Sequence, residues 1–344
     1  NGTRHFSISN PLTEKTDSKN GTLGDLNAIT AVNFSNKGKE ENKIGKFGVG
    51  FKAVFQYTST PHIYDPGVRF RLDKYIVPTL LNDDFPSRRE NETLFVFPFN
   101  HPERTVEETY SDIAGKLKAL SFPILFLSHL RDIDYEIGKG NIIGLYGKNI
   151  EETFTIDDAV AERICLMNNH GEEIETKYLW LFSRFDNGLK YSVGFFMDEN
   201  KQLIPTNNPA FCYFPTKEHT ALNFLIHGPF LLTDSREGIR AAEKHNKHIV
   251  ALLAKLAGDS LLYLRDIGLK NNNRLITDSI FTIVPTQEDV FTDLDDISRI
   301  SFKPFYTEIK NIFENEEILP TIDGYVKTEK YQLLIYHAFV GFHF

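Results

Sequence analysis

The sequence has 344 residues but only two cysteines, two methionines and one tryptophan. Cys165 and Cys212 are far apart, and neither belongs to a C-x-x-C motif. The chain therefore lacks the cysteine pattern of a disulfide framework or of a zinc knuckle. This scarcity is typical of a reducing compartment, so we expect a cytoplasmic protein.

Long apolar runs and excess positive charge are also missing. No run approaches the roughly 18 apolar residues of a membrane span, and no basic leader precedes an apolar core, so we expect no membrane partner. Lysine and arginine total 38 against 47 aspartates and glutamates, which argues against a nucleic-acid partner. The hydrophobic fraction of 41% is enough for two or three domain cores. The chain starts at Asn1 in a turn-like Asn-Gly, and we expect it to begin inside a larger protein.

Local patterns in the first part of the chain predict short elements. Residues 12–43 are polar around an apolar centre, LNAITAVNF, which indicates a connecting segment with one short helix. A helix is predicted over Phe51–Tyr57, and a hairpin is predicted to turn at Asp65-Pro66-Gly67. The segment ETLFVFPF predicts a strand. Residues 103–121 carry acids early and lysines late, which is typical of a helix.

The second part changes from strands to helices. From residue 122 to 232 short apolar runs indicate a mostly β region. Asp234 followed three positions later by Glu237 has the form of a capping box that opens a long helix, with Gly268 as its expected terminator. Residues 270–344 mix acidic loops with amphipathic helical pieces and give no order of elements.

A glycine cluster, IGKFGVGFKAVF, occupies residues 44–55. Gly45, Gly48 and Gly50 have the wrong spacing for a dinucleotide fingerprint, and Gly45-Lys46 is not followed by the Ser or Thr of a Walker loop. Two interpretations stay open. The cluster is either a turn whose backbone amides, aided by Lys46, hold a phosphate at a helix start, or a tight turn with no ligand.

With its neighbours, this cluster resembles the second nucleotide-binding box of the GHKL superfamily of ATPases. The similarity is greatest to the ninety-kilodalton heat-shock chaperones and the sacsin-type ATPases, and it covers about residues 1–268. The resemblance makes residues 12–43 the ATP lid, Asn1-Gly2 the tail of a D-x-G box and Arg236 in FLLTDSRE the arginine that reaches the γ-phosphate as a catalytic residue. It assigns the following residues to nucleotide binding: Gly2, Gly45, Lys46, Phe47, Gly48, Val49, Gly50, Phe51 and Thr93.

The match departs from the family at its start. The family's catalytic glutamate, its Mg²⁺-binding asparagine and its adenine-reading aspartate would all lie before Asn1, and Arg4 stands where a second glycine of the D-x-G-x-G loop is common. The expected cofactors are therefore ATP and Mg²⁺, with the metal ligand upstream and no metal ligand within the chain. These residues alone are expected not to hydrolyse ATP.

The fold class implied is α/β (α+β). A partial Bergerat-type two-layer sandwich over residues 1–136 would be followed by an α+β chaperone-like middle domain over 137–268 and a helical part over 269–344. The implied function is ATP binding with lid and domain closure and, in the intact protein, slow hydrolysis, with protein clients as possible partners. Two alternatives remain. One is a nucleotide-sensing scaffold that does not hydrolyse ATP, and the other is a protein-interaction module of a larger protein.

Other polar groups are expected to have structural roles. His245 and His248 share a helix face, where solvation is favoured over metal binding. The acidic groups Asp157-Asp158, Glu172-Glu173, Glu316-Glu317 and Asp293 to Asp296 are predicted to be solvated surface. Trp180 in YLWLF is expected in a core.

Overall fold

The computed structural model describes residues 29–30, 51–127, 130–138, 142–233, 235–291 and 299–328. The chain divides into two compact units, Asn1–Leu120 and Ser121–Phe344. Each unit combines β-sheet with helix, so the mixed α and β class is confirmed. Within these ranges no helix is both long enough and apolar enough to cross a lipid bilayer.

The first unit is built on a small antiparallel sheet. Its strands are β1 His62–Tyr64, β2 Arg69–Asp73, β3 Val77–Leu80 and β4 Leu94–Val96. They lie in the order β3-β2-β1-β4. The hairpin between β1 and β2 turns at Asp65, whose carboxylate accepts the Gly67 N–H at 3.0 Å and whose own N–H donates to the Val68 carbonyl at 3.0 Å. The predicted turn is therefore confirmed, since a short acceptor side chain closes it locally.

One face of this sheet carries the core of the first unit. A 3-10 helix at Phe51–Gln56 lies where a helix was predicted. Its Phe55 packs with Ile63 of β1 and with Phe70 and Leu72 of β2, and each of these side chains is at most 5% exposed. The alternation along β1 and β2 thus buries one side of the hairpin against the 3-10 helix.

Helix α1, Val106–Lys118, confirms the helix predicted over 103–121 in a shorter form. Thr105 begins it with a capping box, in which its hydroxyl accepts the Glu108 N–H and the Glu108 carboxylate accepts the Thr105 N–H. Both bonds satisfy donors that a helix start leaves open.

The second unit contains an eight-stranded sheet, which confirms the β-rich region predicted over 122–232. Its strands are β5 Asp132–Ile137, β6 Ile142–Ile156, β7 Ala159–His170, β8 Glu173–Asp186, β9 Leu189–Met197, β10 Pro209–Cys212, β11 Phe214–His219 and β12 Leu225–His227. They lie in the order β11-β10-β12-β9-β8-β7-β6-β5. Neighbours run antiparallel except β10 and β12, which are parallel.

A long helix, α2 Lys244–Lys270, covers one face of this sheet. Leu253, Leu256 and Leu264 on the helix have no exposed surface and belong to one core cluster with Trp180 and Phe182 of β8. Trp180 is 3% exposed, so its predicted core position is confirmed.

The predicted start of this helix is wrong. The helix begins at Lys244, and its N-cap residue Glu243 makes no side-chain cap bond. Upstream, Leu232 and Ile239 form an isolated β-bridge, so Glu237 lies in a turn and cannot complete a capping box. The backbone pairs across this turn, whereas the local sequence pattern predicted that it would already be helical.

The predicted helix end at Gly268 is two residues early. Gly268 lies in the last turn, and α2 ends at Lys270 with Asn271 as its C-cap. A Cβ at Gly268 would lie 2.5 Å from the Asn273 carbonyl oxygen. A glycine is therefore needed here because the chain that follows the helix passes close to it, and Gly268 does not terminate the helix.

The C-terminal part continues the second unit. Its elements are α3 Ile280–Ile283, α4 Lys303–Asn315, and the short hairpin strands β13 Leu319–Pro320 and β14 Tyr325–Val326. Helix α4 confirms the amphipathic helix expected there and packs on α2, where a Cβ at Gly258 would lie 3.0 Å from Ile312 Cγ1. The domain boundaries expected after residues 136 and 268 stay predictions, and both positions fall inside the second compact unit.

Candidate functional site

Of the ten residues assigned to the nucleotide site, the described ranges include Phe51, Thr93 and Arg236. The remaining seven stay predictions because they lie outside the described residues: Gly2, Gly45, Lys46, Phe47, Gly48, Val49 and Gly50. Phe51 directly follows the last glycine of the cluster, and Thr93 directly precedes strand β4.

Phe51, the last residue of the box IGKFGVGF, packs against the sheet of the first unit. Its ring centroid lies 6.0 Å from that of Phe95 and 6.4 Å from that of Phe97. Phe95 pairs with buried Ile63 across β4 and β1, so both side chains point to the face that the 3-10 helix covers. The helix start that follows the glycines is thus packed against the strand that carries Thr93.

Thr93 immediately precedes β4 and donates its hydroxyl to a carboxylate. Its Oγ1 lies 2.7 Å from Oδ2 of Asp65, which is 2% exposed. Asp65 directly follows β1, as Thr93 directly precedes β4, next to the pair that Tyr64 forms with Leu94. Sequence reasoning took Asp65 only as a turn residue, although an acid that must be buried is a signal of a polar partner.

The loop before Thr93 is held by an arginine. The Arg88 guanidinium donates through Nη2 to Asp84 at 2.6 Å and through Nη1 to the carbonyls of Arg89, Glu90 and Glu92 at 2.9 to 3.0 Å. The Arg88 bond and the nearby charge of Arg69 hold the pKa of Asp84 well below its usual range. This arrangement fixes the backbone that delivers Thr93 to β4.

Lys52, within the box that resembles the family motif, has a bonding role that sequence reasoning missed. Its Nζ donates to the carbonyl of Ile29 at 2.6 Å and to that of Tyr75 at 2.8 Å. Burial lowers the pKa of its ammonium group. Ile29 and Thr30 are helical and fall in the stretch where one short helix was predicted within the expected lid. Lys52 therefore ties this helical pair to the turn between β2 and β3.

Arg236 belongs to the second unit and lies in a tight turn. Its φ of 61° is left-handed, and its N–H donates to the Thr233 carbonyl at 2.9 Å. The turn closes where the Thr233 N–H donates to the Gly238 carbonyl at 2.9 Å, six residues before α2 begins. Arg236 therefore lies outside α2, although the capping box predicted from Asp234 and Glu237 would have put it in the first helical turn.

The turn is anchored to the neighbouring strand β11. The Lys217 ammonium pairs with the Glu237 carboxylate at 2.7 Å, and the Lys217 N–H donates to the Glu237 carbonyl at 2.6 Å. The Ile239 N–H donates to the carboxylate of Glu218 at 3.3 Å. The backbone at Arg236 thus has a defined position within the second unit.

The histidine pair of α2 makes separate contacts. His245 Nε2 lies 2.9 Å from the Pro229 carbonyl, and His248 Nε2 lies 3.2 Å from the carboxylate of Asp186. Over the described part of the chain, no group of three or more His, Cys, Asp or Glu has the arrangement of a metal site.

The acidic pairs differ from one another. Glu172-Glu173 and Glu316-Glu317 are exposed as predicted, and Asp293 to Asp296 lie outside the described residues. Asp157 and Asp158 are exposed as predicted, and they also join a polar cluster with side chains of β8 and α2. Asp157 accepts the Tyr263 hydroxyl at 3.2 Å, and Asp158 lies 2.6 Å from Nε of Arg184.

Comparison with known proteins gives one distant relative to consider. The chain is 25% identical over 276 residues to Protein NO VEIN of Arabidopsis thaliana. The match covers 69% of this chain but 9% of that protein, so the chain spans less than a tenth of the relative's length. No family model matches, and no solved structure matches.

Proposed function

We propose that this chain is an ATP-binding module of the GHKL type with a Bergerat-like nucleotide domain. The observation that carries the proposal is the position of Phe51. The residue that ends the box IGKFGVGF starts a 3-10 helix packed on one face of an antiparallel sheet, and Thr93 bonds Asp65 where β4 begins and β1 ends. A nucleotide would lie with its phosphates at the glycine turn and its base near Thr93.

The glycine turn would hold the phosphates. Backbone N–H groups from Gly45 to Gly50 can approach an anion closely because these glycines carry no Cβ, and the helix start adds a partial positive charge. Lys46 would add a full positive charge. Mg²⁺ would shield the phosphate oxygens, with its protein ligand supplied upstream as the resemblance implies.

The Thr93 and Asp65 pair would support the purine base. The hydroxyl proton of Thr93 is donated to Asp65, so a further bond of the Thr93 oxygen to a ligand would be one in which it accepts, from an amino group or from a bridging water. This orientation suits adenine, whose exocyclic amine is a donor. It gives a physical reason for the threonine that the family resemblance assigns to the adenine site.

Arg236 would act from the second unit. A guanidinium presents fixed donors that match a γ-phosphate, and ATP would favour closure because it offers this contact while ADP does not. The base that activates water is assigned by the resemblance to a helix upstream, so binding and closure are the activities proposed for residues 1–344. Hydrolysis, clients and a chaperone-like cycle are proposed only for an intact parent protein.

Titration calorimetry with ATP, ADP and the non-hydrolysable analogue AMP-PNP, each with Mg²⁺, tests nucleotide binding. Gly48→Val should weaken ATP binding at least tenfold, because its side chain fills the space that the phosphate needs. Gly115→Ala is the matched control, since a Cβ there meets nothing within 4 Å. A chain saturated at 100 times Kd should gain about 2.7 kcal/mol of stability. Absence of binding to all three nucleotides would favour the protein-interaction module.

Phosphate release distinguishes the ATPase from the sensing scaffold. In the intact protein, Arg236→Ala should lower turnover by a factor of about 10³ or more while ATP binding changes only a few-fold. If ATP binds tightly but no phosphate is released by the intact protein, the scaffold that binds without hydrolysis becomes the better interpretation.

A further inference from the structure

The segment Ser121–Leu127, here called the strap, crosses the face of the large sheet opposite α2. Leu125 and Phe126 of the strap cluster with Ile164, Leu179 and other residues of that face, whereas α2 packs on the face of Trp180 and Phe182. Successive strand residues point to opposite sides, so the two clusters lie on opposite faces. The strap is neither helix nor strand. An irregular segment therefore covers a large apolar surface.

Among the described residues, the backbone-to-backbone hydrogen bonds of the strap are local. The Leu125 N–H donates to the Phe122 carbonyl at 3.1 Å, and the Leu127 N–H donates to the Ile124 carbonyl at 3.2 Å. No strap amide or carbonyl in the described ranges joins the ladder of the sheet. Side chains alone hold the strap in place, so it can leave without breaking any strand pairing.

Lys148 of β6 is the polar attachment. Its Nζ donates to three strap carbonyls, those of Ile124 at 3.0 Å, Leu125 at 3.3 Å and Leu127 at 2.9 Å. Burial, with smaller effects from Lys190 and Arg131, lowers the pKa of this ammonium group. One ammonium thus donates to three strap carbonyls in an apolar setting, of which that of Ile124 also accepts the Leu127 N–H.

His227 of β12 lies beneath the strap. Its ring stacks on Phe126 with centroids 4.5 Å apart and meets Tyr213 edge-on at 5.1 Å. The residue is 1% exposed, and neither ring nitrogen has a hydrogen-bond partner among the residues that the structure describes. Closing the strap over His227 therefore removes a polar ring from water without compensation, which opposes closure.

The charged surroundings of His227 add to this opposition. Burial, and then the positive charge of Lys190 on β9, lower the pKa of His227 to about 3. The strap itself contributes no ionisable side chain, and Tyr213 contributes a phenol whose pKa is raised by burial. The protonated ring is thus strongly disfavoured while the strap is closed.

The closed strap also carries a backbone cost. Phe122 has a left-handed φ of 46°, which a residue with a Cβ seldom adopts. Its ring compensates by packing at 5.2 Å from Phe196 and beneath the ammonium of Lys177 at 5.5 Å. Contacts of the strap side chains and of Lys148 therefore favour the closed strap, whereas the Phe122 backbone and the burial of His227 oppose it.

We propose that the strap opens and closes reversibly on the large sheet. The bonds of Lys148 stabilise the closed strap, and His227 favours the open one. Because the strap follows α1 in the chain by three residues, it would also pass nucleotide-dependent movement of the first unit to the second. Only this coupling rests on the proposed function. The opening itself does not.

Hydrogen exchange of the strap amides, corrected for intrinsic rates and measured without nucleotide, tests the opening. Between pH 7.5 and 5.5 the wild-type opening constant should rise about tenfold, because the open state takes up a proton at the ordinary histidine pKa. His227→Phe keeps the aromatic stack and should abolish this rise. A rise of equal size in His227→Phe would overturn the role of His227.

Lys148→Met keeps the length of the side chain and removes its donors. The strap amides should then exchange at least tenfold faster at both pH values. Lys247→Met, on an exposed residue of α2, should leave them unchanged. Circular dichroism and a melt verify that each variant is folded. If the strap amides exchange at the same rate in Lys148→Met and Lys247→Met, the proposal that Lys148 holds the strap closed is wrong.

A final experiment repeats the hydrogen-exchange measurement of the strap amides with AMP-PNP at saturating concentration. A change in strap exchange supports coupling, and unchanged exchange in a protein that demonstrably binds the nucleotide contradicts it. If calorimetry detects no nucleotide binding, the proposed function fails, while the nucleotide-free exchange data decide the strap independently.

Discussion

Arg184 and Asp259 form an ion pair that joins β8 to α2, with Nη1 of Arg184 2.7 Å from Oδ2 of Asp259. The two side chains are only 10% and 15% exposed. Nη2 of Arg184 also donates to the Tyr263 hydroxyl at 2.8 Å. Burial, with the charges of Asp259 and Asp157, raises the pKa of Tyr263 to about 12 against the opposing charge of Arg184. The long helix is therefore oriented on the sheet by a polar contact as well as by its apolar face.

We predict that Arg184→Met destabilises the second unit by about 3 kcal/mol, since it leaves a buried carboxylate short of a partner. The value lies at the low end because Lys255 also pairs with Asp259 at 2.8 Å. Urea unfolding measures the change. The matched control is Lys217→Met, whose exposed pair with Glu237 should contribute less than about 1 kcal/mol. Equal losses in the two variants would show that burial of the pair is unimportant.

His227 should make stability depend on pH. Its folded pKa of about 3 lies below the ordinary 6.5, so the unfolded chain takes up a proton first and stability falls as pH decreases below about 6.5. From pH 7 to pH 5 the loss should reach about 2 kcal/mol. The stability difference between wild type and His227→Phe, followed by urea unfolding at several pH values, isolates this effect from other titrating groups. A difference that is constant from pH 7 to 5 is incompatible with the prediction.

The bond between Thr93 and Asp65 should stabilise the first unit. Thr93→Val removes the hydroxyl while keeping the shape, and it should cost about 1–3 kcal/mol because a buried carboxylate loses a donor. Thr93→Ser retains the donor and serves as the control, with a smaller loss expected from its missing methyl group. Thermal unfolding measures both variants. A serine variant no more stable than the valine variant would mean that the hydroxyl bond contributes nothing.

Two helical glycines should respond in opposite ways to alanine. Gly268→Ala should destabilise by about 1–3 kcal/mol, because the new Cβ would meet backbone atoms of Asn273 and Leu275 at 2.5 and 2.9 Å. Gly115→Ala, inside α1 with open space around it, should stabilise by up to about 1 kcal/mol. Chemical denaturation of both variants checks the pair. Stabilisation by Gly268→Ala would refute the close approach seen at the end of α2.

Elements governed by neighbours in sequence were predictable. The turn at Asp65 and Gly67 and the helix begun by Thr105 depend on bonds within four residues, so local residue types suffice to predict them. The start of α2 was not predictable in this way. The bridge between Leu232 and Ile239 overrides a favourable capping pattern, because pairing supplies the backbone bonds that a helical turn would have supplied.

The candidate site shows the same division. Thr93 and Phe51 could be chosen from a resemblance, but the partner of Thr93 is Asp65, 28 residues earlier in the chain. Lys52 looks like a surface cation in sequence, yet it bonds to carbonyls 23 residues away on either side. Contacts of this kind depend on how strands and loops come together, which no local pattern encodes.

Trp180 of β8 is the sole tryptophan of the chain. The centroids of its indole and the Phe154 ring are 5.9 Å apart, on the face of the sheet that α2 covers. Its fluorescence consequently reports on one place in the molecule. A red shift of the emission would signal water reaching the interface of sheet and helix, and unfolding of the second unit can therefore be followed optically without any attached label.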